Sequence, residues 1–419
     1  MRIAVVGSGV SGLAAAWLLA RHHEVHLLER EGRLGGHSHT LDLPAGEGAT
    51  VPVDTGFIVY NETTYPLLVR FLDELGVVTG PSDMSWSLRC ERCDLEYAGS
   101  ARGLVAQPRN LVSPSYLRMV ADIARFNRLG RAARSDGRMA DLSIDRFLTE
   151  AGFSHGFSRH YLLPMAAAIW SSGTGPIGAF PVASLLTFLD NHGLLGVRSH
   201  LAWRTITGGA RSYVDRVAAA LGDRVHVGAE VVRIDRDAQG VRIRLADGTG
   251  LTFDEVVIAT HADEALSMLA HPSDEERELL GAWTYSHNER YVHADVALMP
   301  HARAAWASWN YLLEDCRVPG EQVSLTYDLN RLQGHARPPH HLVTLNPARA
   351  PRPDSVHLHD VVTHPGYDAG SVATQDRLDE LSGRQRTHFV GAYQRWGFHE
   401  DGLWSAVRVA ERLGVRWPG

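Results

Sequence analysis

The sequence predicts an α/β protein that contains a Rossmann-like dinucleotide-binding domain with an inserted α+β substrate domain. Three observations predict this class. A β-branched strand, a glycine-rich turn and an Ala-rich helix follow one another in residues 3–21, and a second strand at residues 24–29 ends in an acid. Strand patterns return near the end of the chain, after long segments of helical periodicity. We expect a discontinuous dinucleotide-binding domain of residues 1–60, 204–264 and 386–419, and a substrate domain of residues 61–203 and 265–385.

The first glycine-rich turn has the G-x-G-x-x-G spacing at Gly7, Gly9 and Gly12. The first glycine permits the tight bend, the second lets the backbone approach a pyrophosphate, and the third lets the helix pack closely on its strand. Glu29 ends the second strand about where the ribose hydroxyls are bound. The alternative is a glycine-rich turn in some other βαβ unit. The predicted cofactor contacts of this part of the chain are Gly7, Ser8, Gly9, Val10, Ser11, Gly12, Glu29 and Arg30.

A second glycine pair follows the acid at once, which favours FAD over NAD. Arg33, Gly35 and Gly36 can bring backbone N–H groups and a guanidinium to the same pyrophosphate. With these motifs the sequence resembles the flavin-containing amine oxidase and phytoene desaturase superfamily, and within it a bacterial subgroup of FAD-dependent oxidoreductases. The resemblance covers most of the chain. It implies an amine-oxidase-like FAD-binding domain of the glutathione-reductase type, with His37 and Ser38 among the FAD contacts.

The resemblance also implies FAD contacts in later segments. Gly56 and Phe57 follow a strand and would lie beside the isoalloxazine ring, with an ordinary strand end as the alternative. Val231 would lie against the adenine, and Ala259 would close the phosphate end. The strand that ends at Gly391 resembles the closing strand of the FAD domain.

The last helix follows Asp401, which we expect to be its N-cap, and Gly414 is the expected C′ residue. In the resembling fold this helix start points at the pyrimidine edge of the flavin. Free N–H groups of Gly402 and Leu403 would there stabilise the negative charge of the reduced ring. An ordinary capped surface helix is the alternative.

Composition limits the function. The 419 residues carry a formal charge of −7, and all 41 basic residues are arginine. Because these arginines are scattered, we expect no nucleic-acid partner. No run of about 18 apolar residues offers a transmembrane helix. A strand that begins at residue 3 leaves no room for a signal peptide, so we expect a cytoplasmic protein. Peripheral membrane contact and the oligomeric state stay open.

Three cysteines do not form a disulfide framework. Cys90 and Cys93 are spaced as in a zinc or redox half-site, but alternating residues around them indicate a hairpin turn, and no second Cys/His pair lies nearby in the chain. We therefore expect no metal site. Cys316 lies well before the closing flavin segment, in which some members of the superfamily attach FAD covalently. Non-covalent FAD is therefore expected.

The inserted segments predict a mainly helical first part and a mixed second part of the substrate domain. The predicted helices of the first part are residues 65–75, 116–126 and 182–194. Apolar residues 164–170, Phe180, Leu185, Phe188 and Leu189 either line a substrate cavity or form an ordinary core.

The candidate general bases are four histidines in or next to flavin segments. A histidine there can exchange protons near neutral pH. We rank His399 first, ahead of His37, His39 and His261. The alternative is a histidine that positions a loop or contacts the cofactor.

The predicted function is FAD-dependent oxidation of an apolar small molecule by hydride removal toward flavin N5. An isolated alkane C–H bond is too poor a hydride donor, so the substrate should carry a double bond, hydroxyl or amine beside the reacting carbon. The resembling subgroup is associated with lipid and fatty-acyl modification, which favours a lipid chain. The absence of lysine removes the lysine-held water that many of the amine oxidases use. The alternatives are a lysine-independent amine oxidase, a non-redox flavoenzyme such as an isomerase, and a protein with a structural flavin.

Overall fold

The computed structural model describes residues 1–46, 48–133, 142–191, 195, 201–335 and 339–417. These residues form twenty strands: β1 (Arg2–Val6), β2 (Glu24–Glu29), β3 (Thr40–Pro44), β4 (Thr50–Asp54), β5 (Tyr60–Asn61), β6 (Thr79–Pro81), β7 (Trp86–Cys90), β8 (Leu95–Ala98), β9 (Trp203–Ile206), β10 (Val225–Val227), β11 (Val231–Asp237), β12 (Gly240–Leu245), β13 (Gly250–Phe253), β14 (Glu255–Ile258), β15 (Tyr285–His293), β16 (Trp309–Leu313), β17 (Leu325–Asp328), β18 (Leu342–Leu345), β19 (Val356–Pro365) and β20 (Thr387–Phe389).

The same residues form fifteen α-helices: α1 (Val10–Leu19), α2 (Pro66–Glu74), α3 (Ala101–Leu104), α4 (Pro114–Ala133), α5 (Ile144–Glu150), α6 (His155–Phe157), α7 (Leu163–Ile169), α8 (Thr174–Gly178), α9 (Val182–Asn191), α10 (Arg211–Leu221), α11 (Ala262–Met268), α12 (Asp274–Gly281), α13 (Leu329–Gln333), α14 (Ala369–Leu378) and α15 (His399–Arg412). A π-helical turn, Ser158–Leu162, connects α6 to α7. None of these described helices is both long enough and apolar enough to cross a membrane.

A five-stranded parallel sheet in the order β10-β2-β1-β14-β20 lies in the part that we expect to bind the dinucleotide. Its central strand β1 is apolar on both faces, as expected for a parallel sheet that is covered on both sides. Helices α1, α10 and α15 pack on one face. The small antiparallel sheet β11-β12-β13 covers the other face together with α11, α12 and α14. The predicted α/β class is confirmed.

Helices α12 and α14 lie in residues that we expected in the substrate domain. Their side chains Leu279, Leu280 and Leu378 are nevertheless buried in the same core as Val256 and Ile258 of β14. These helices therefore belong by packing to the face of the five-stranded sheet.

The remaining part combines a seven-stranded sheet with helices α4 to α9. The sheet order is β19-β15-β18-β17-β16-β7-β8, in which β16 and β7 are parallel and the other neighbouring pairs are antiparallel. Both inserted segments therefore contribute strands to one sheet. The three predicted helices correspond to α2, to part of α4 and to α9, and residues 192–194 of the last lie outside the described part of the chain.

Candidate active site

The predicted pyrophosphate contacts meet at the carboxyl edge of the five-stranded sheet, where β1 turns into α1. Gly7 has a φ of +97°, and its N–H donates to the Leu28 carbonyl at 2.8 Å. A Cβ at Gly12 would lie 1.9 Å from the Gly7 carbonyl oxygen, so only glycine lets α1 start this close to β1. A Cβ at Gly9 would meet none of the described atoms within 4 Å. Gly7 thus permits the turn, Gly9 leaves open space for a ligand, and Gly12 lets the helix pack closely on its strand, as the spacing predicts.

The second glycine loop is hydrogen-bonded to the first. The Gly35 N–H donates to the carbonyl and to the hydroxyl of Ser8, at 3.1 Å each. A Cβ at Gly36 would lie 3.3 Å from the Cα of Gly9, and Arg33 donates to the Gly36 carbonyl at 2.8 Å. Backbone groups, a guanidinium and the start of α1 therefore converge beside Gly9, an arrangement that suits a pyrophosphate.

Glu29 lies at the end of β2, within hydrogen-bond distance of the first loop. Its carboxylate accepts from the N–H of Ser8 at 2.8 Å and from the Ser8 hydroxyl at 2.5 Å. The Ala229 N–H donates to the Glu29 carbonyl at 2.8 Å, which brings the start of β11, with Val231, to the same edge. Arg30 is exposed and pairs with an acid of α11 at 3.2 Å.

Ala259 and Gly391 follow the neighbouring strands β14 and β20. The Ala259 N–H donates to the Val6 carbonyl at 2.7 Å, and a Cβ at Gly7 would lie 3.0 Å from the Ala259 carbonyl oxygen. The Gly391 N–H donates to the Ser405 hydroxyl of α15 at 3.0 Å. Both residues therefore lie at the carboxyl edge that carries the glycine loops.

Gly56 and Phe57 lie against two of the candidate histidines. A Cβ at Gly56 would lie 2.3 Å from the His37 carbonyl oxygen, and the Phe57 N–H donates to that oxygen at 2.9 Å. The Phe57 ring stacks on the His399 imidazole with 3.6 Å between centroids. His399 Nε2 lies 3.0 Å from the Ser38 hydroxyl. The approach to His37 therefore explains the glycine at position 56, and the Phe57 N–H is already paired within the protein.

Burial keeps the candidate histidines neutral. Desolvation lowers the pKa of His399 to about 3 and the pKa values of His37 and His39 to about 4. Desolvation also lowers the pKa of His261. An imidazole with so low a pKa is a weak base at neutral pH. The ring stacking and the hydrogen bond of His399 favour a positioning role for this residue.

Comparison with known proteins identifies the family of the chain. The model of the flavin-containing amine oxidoreductase family matches residues 10–316. The chain belongs to this family. The predicted resemblance is thereby confirmed, and so is FAD as the cofactor. Non-covalent attachment stays a prediction.

Several known proteins are similar to this chain. A protein of Mycobacterium tuberculosis (strain H37Rv), named as a flavin-containing monoamine oxidase, is 31% identical over 262 residues, which are 59% of this chain and 54% of that protein. The chain spans about half the length of the curated relatives that it matches. The crystal structure of a fatty acid isomerase from P. acnes that produces CLA has a TM-score of 0.67 at 17% identity, over 98% of both chains. Cyclohexylamine oxidase from Brevibacterium oxydans has a TM-score of 0.68 at 17% identity, over 99% of both chains. Both structures show the fold alone.

Two observations on this chain fit FAD. The space beside Gly9 is one that a Cβ would fill, and it lies at the N-terminus of α1, which favours phosphate. The His37 Nε2 atom, in the second glycine loop, is buried and has no hydrogen-bond partner among the described residues. A buried polar atom of this kind is normally paired, and a cofactor oxygen would provide the partner. Gly9, Arg33, Gly36 and His37 would therefore hold the cofactor.

The start of α15 differs from the prediction. The helix begins at His399 with Phe398 as its N-cap, so Asp401 is the third helical residue. Its carboxylate accepts from the Phe398 N–H at 3.0 Å. The Gly402 N–H donates to the Phe398 carbonyl at 3.1 Å, and Leu403 lies one residue further inside the helix. The prediction of an N-cap at Asp401 and of a free N–H at Gly402 is therefore wrong, because the helix starts earlier.

Gly402 is needed for helix packing instead. A Cβ there would lie 2.6 Å from the Ser11 hydroxyl and 2.8 Å from Cγ1 of Val10, where α15 crosses the start of α1. The adjacent Glu400 carboxylate accepts two N–H groups in the first turn of α2, at 3.0 Å each. The first turn of α15 thus connects helices α1 and α2.

Arg290 is a site residue that the sequence analysis missed. Its guanidinium is buried, binds both carboxylate oxygens of Asp360 at 2.9 and 2.6 Å, and donates to the Thr55 carbonyl at 3.1 Å. It therefore lies behind the Gly56 loop, where its charge helps to lower the pKa of His37. Arg290 and Asp360 face each other across β15 and β19, a pairing that no local pattern in the sequence indicates.

Proposed function

We propose that the chain is an FAD-dependent oxidoreductase that removes a hydride from an activated C–H bond of an apolar small molecule, with a lipid or fatty-acyl chain as the favoured class. The observation that carries this proposal is a line of aromatic rings with two buried donors, next to the start of α15.

The rings, which we call the aromatic wall, are Trp170, Phe188, Trp283, Tyr367 and Phe398. Phe188 lies 5.1 Å from Trp170 and 5.1 Å from Phe398, and Tyr367 lies 5.4 Å from Trp283, all between ring centroids. Phe398 packs against the cores of both the FAD domain and the helical segment. Tyr367 lies 6.5 Å from Trp170, so the contacts run from Trp283 through Tyr367, Trp170 and Phe188 to Phe398. Phe398 directly precedes His399, which supports an apolar substrate beside the FAD site.

Trp170 and the predicted lining residues Leu185, Phe188 and Leu189 are all buried in the core of the helical segment. Trp170 and Phe188 also belong to the aromatic wall.

Two donors of the aromatic wall support a substrate with a polar group. Trp170 Nε1 and the Tyr367 hydroxyl are buried and have no hydrogen-bond partner among the described residues. A donor left in this state costs about 1–3 kcal/mol, which an acceptor on the substrate would recover. Desolvation raises the pKa of Tyr367 well above its ordinary value, so the hydroxyl stays protonated and donates. This supports a substrate with a hydroxyl, amine or carboxylate on an apolar body.

Bound FAD supplies the hydride acceptor. The protein excludes water with the aromatic wall, orients the polar end of the substrate through Tyr367, and holds the Phe57 loop through His399 and Ser38. No lysine of the 419 residues is available for a proton step. These side chains therefore bind and orient the substrate and the cofactor, and they do not act as strong bases.

Anaerobic mixing with candidate substrates tests the proposal. An unsaturated fatty acid, a long-chain alcohol and a long-chain primary amine are added in turn, and the visible flavin absorbance is followed. We expect bleaching by the unsaturated or hydroxylated chain. Bleaching by amines alone would make the protein a lysine-independent amine oxidase. Isomerised product without bleaching would instead assign the non-redox chemistry that the name of the P. acnes neighbour describes.

The polar contact is tested with Tyr367→Phe, which keeps the ring and removes the donor. We expect KM to rise about tenfold, since the loss of one hydrogen bond costs about 1 kcal/mol or more. Tyr116→Phe is the matched control, because its hydroxyl donates to the Leu104 carbonyl at 2.8 Å in the helical segment. An equal effect of both variants would contradict substrate binding by Tyr367.

A further inference from the structure

A cluster of four metal-ligand side chains lies outside the site described above. Cys90, Cys93, His160 and Cys316 each place one ligand atom within 4.8 Å of all the others. The expectation of no metal site considered only neighbours along the chain, and the fold brings His160 and Cys316 to the Cys90–Cys93 pair. We propose that these four side chains bind one Zn²⁺ ion in a structural Cys3His site.

Three separate segments build the cluster. Cys90 ends β7, and Cys93 lies in the turn to β8, as the predicted hairpin requires. Strand β16 is parallel to β7 with Leu313 opposite Cys90, so the loop after β16 carries Cys316 to the same place. The Glu91 N–H donates to the Leu313 carbonyl at 2.9 Å and fixes the turn against this loop. His160 enters from the π-helical turn Ser158–Leu162, and such turns occur often at functional sites.

The distances suit a tetrahedral zinc ion. Cys93 Sγ lies 3.4 Å from His160 Nε2. Zinc–sulfur and zinc–nitrogen bonds of about 2.3 and 2.0 Å at tetrahedral angles place these two atoms about 3.5 Å apart.

The ligand set favours a structural role. Cys3His is a common composition of closed four-coordinate zinc sites, and the Cys-x-x-Cys spacing is typical of them. Cys90 and Cys316 are buried and Cys93 is exposed, so the ion can enter from solvent. A disulfide between Cys90 and Cys93 would use only two of the four ligands.

The ion would connect the sheet to the helical segment. His160 is followed by α7, which ends beside Trp170 of the aromatic wall. The Tyr97 hydroxyl of β8 already donates to the His160 carbonyl at 2.6 Å. Zinc bound here would therefore add a second link between the strands and the helices that carry the wall, and it would stabilise the folded state.

Metal analysis of the purified protein tests the site. We expect one zinc ion per chain by elemental mass spectrometry, and three thiols that react with a thiol reagent only after a chelator is added. Cys316→Ser and His160→Ala should lose the metal. His155→Ala is the matched control, since His155 is an exposed histidine of the preceding turn outside the cluster, and it should retain zinc.

Cobalt substitution gives a test that does not depend on the variants. After removal of the metal, the native chain is titrated with Co²⁺, and a tetrahedral site with three thiolates gives sulfur-to-metal charge-transfer bands and intense visible bands. Their absence would overturn the proposal. So would a native protein that takes up no added zinc and has lost two hydrogens by mass through a Cys90–Cys93 disulfide.

Discussion

Asp54 contributes to the pH dependence of stability, and an Asp54→Asn variant should remove this contribution. Asp54 ends β4, just before the Gly56 loop. Its carboxylate accepts from the Thr40 hydroxyl at 2.6 Å, from the Ala210 N–H at 2.8 Å and from Gln333 Nε2 at 3.0 Å. Burial nevertheless outweighs these hydrogen bonds and raises the pKa of Asp54 from 3.8 to about 7.

Because the pKa of Asp54 is higher in the folded protein than in the unfolded chain, the folded state loses stability as the pH rises. The unfolded chain releases the Asp54 proton near pH 3.8, whereas the folded protein holds it until about pH 7. The proton therefore stabilises the folded state at low pH, and this stabilisation is lost as the pH rises through 7. Between pH 5 and pH 8 the loss amounts to about 2.5 kcal/mol, from about two units of differential protonation at 1.36 kcal/mol each.

Equilibrium urea unfolding measures this effect. The native protein and Asp54→Asn are unfolded at pH 5, 6.5 and 8 with FAD at one saturating concentration. The difference between their free energies of unfolding should change by about 2.5 kcal/mol in favour of the variant as the pH rises. Asp42→Asn is the control, because the hydrogen bond from Arg211 lowers the pKa of the exposed Asp42, which is then ionised across this range. A difference between native protein and Asp54→Asn that stays constant from pH 5 to pH 8 would refute the reasoning.

Variants of Glu400, of two glycines in the first motif and of Gly402 separate packing from cofactor binding. Glu400→Ala should lower the free energy of unfolding by about 1–2 kcal/mol, because it leaves two N–H groups of α2 uncapped, and Glu400→Gln should recover part of this in the same urea assay. Gly9→Leu should lose FAD while its circular dichroism stays native, whereas Gly12→Ala should reduce the folded yield, since its Cβ would lie 1.9 Å from a carbonyl oxygen; a Gly9→Leu protein that retains FAD would contradict this. Gly402→Ala should lower the melting temperature, and Ser11→Gly in the same chain should recover only part of it, because the new Cβ meets both the Ser11 hydroxyl and Cγ1 of Val10; a Gly402→Ala variant as stable as the native protein would contradict this packing role.

The sequence was sufficient for the parts of the fold that depend on neighbours along the chain. The strand, turn and helix at residues 2–19 could be predicted because the turn glycines, the apolar strand and the Ala-rich helix are consecutive. The second glycine loop was predicted to reach the first, and Gly35 indeed bonds to Ser8. The acid at the end of β2 also lies where expected, against Ser8.

Contacts between distant segments could not be predicted in this way. Arg290 and Asp360 meet only because β15 and β19 pair in one register, and a shift by one residue would separate them. Cys316 reaches Cys90 only because β16 lies parallel to β7. The start of α15 was misplaced for a related reason. An aspartate before an apolar run is typical of an N-cap, but it also serves as the third residue of a helix whose N-cap is an apolar residue such as Phe398.

The motif glycines differ in how well their structural role can be predicted from the sequence. A glycine in a motif indicates that a Cβ is excluded, but the sequence does not say which atom excludes it. At Gly12 the excluding atom is the carbonyl oxygen of Gly7, within the same motif, so the inference from spacing holds. At Gly402 the excluding atoms belong to Ser11 and Val10, on a helix at the other end of the chain. The resemblance assigned this glycine to the flavin ring, whereas α1 already accounts for it. A motif glycine therefore supports a cofactor contact only where no protein atom occupies the position of its Cβ, and of the glycines in the first motif Gly9 alone meets that condition in the described part of the chain.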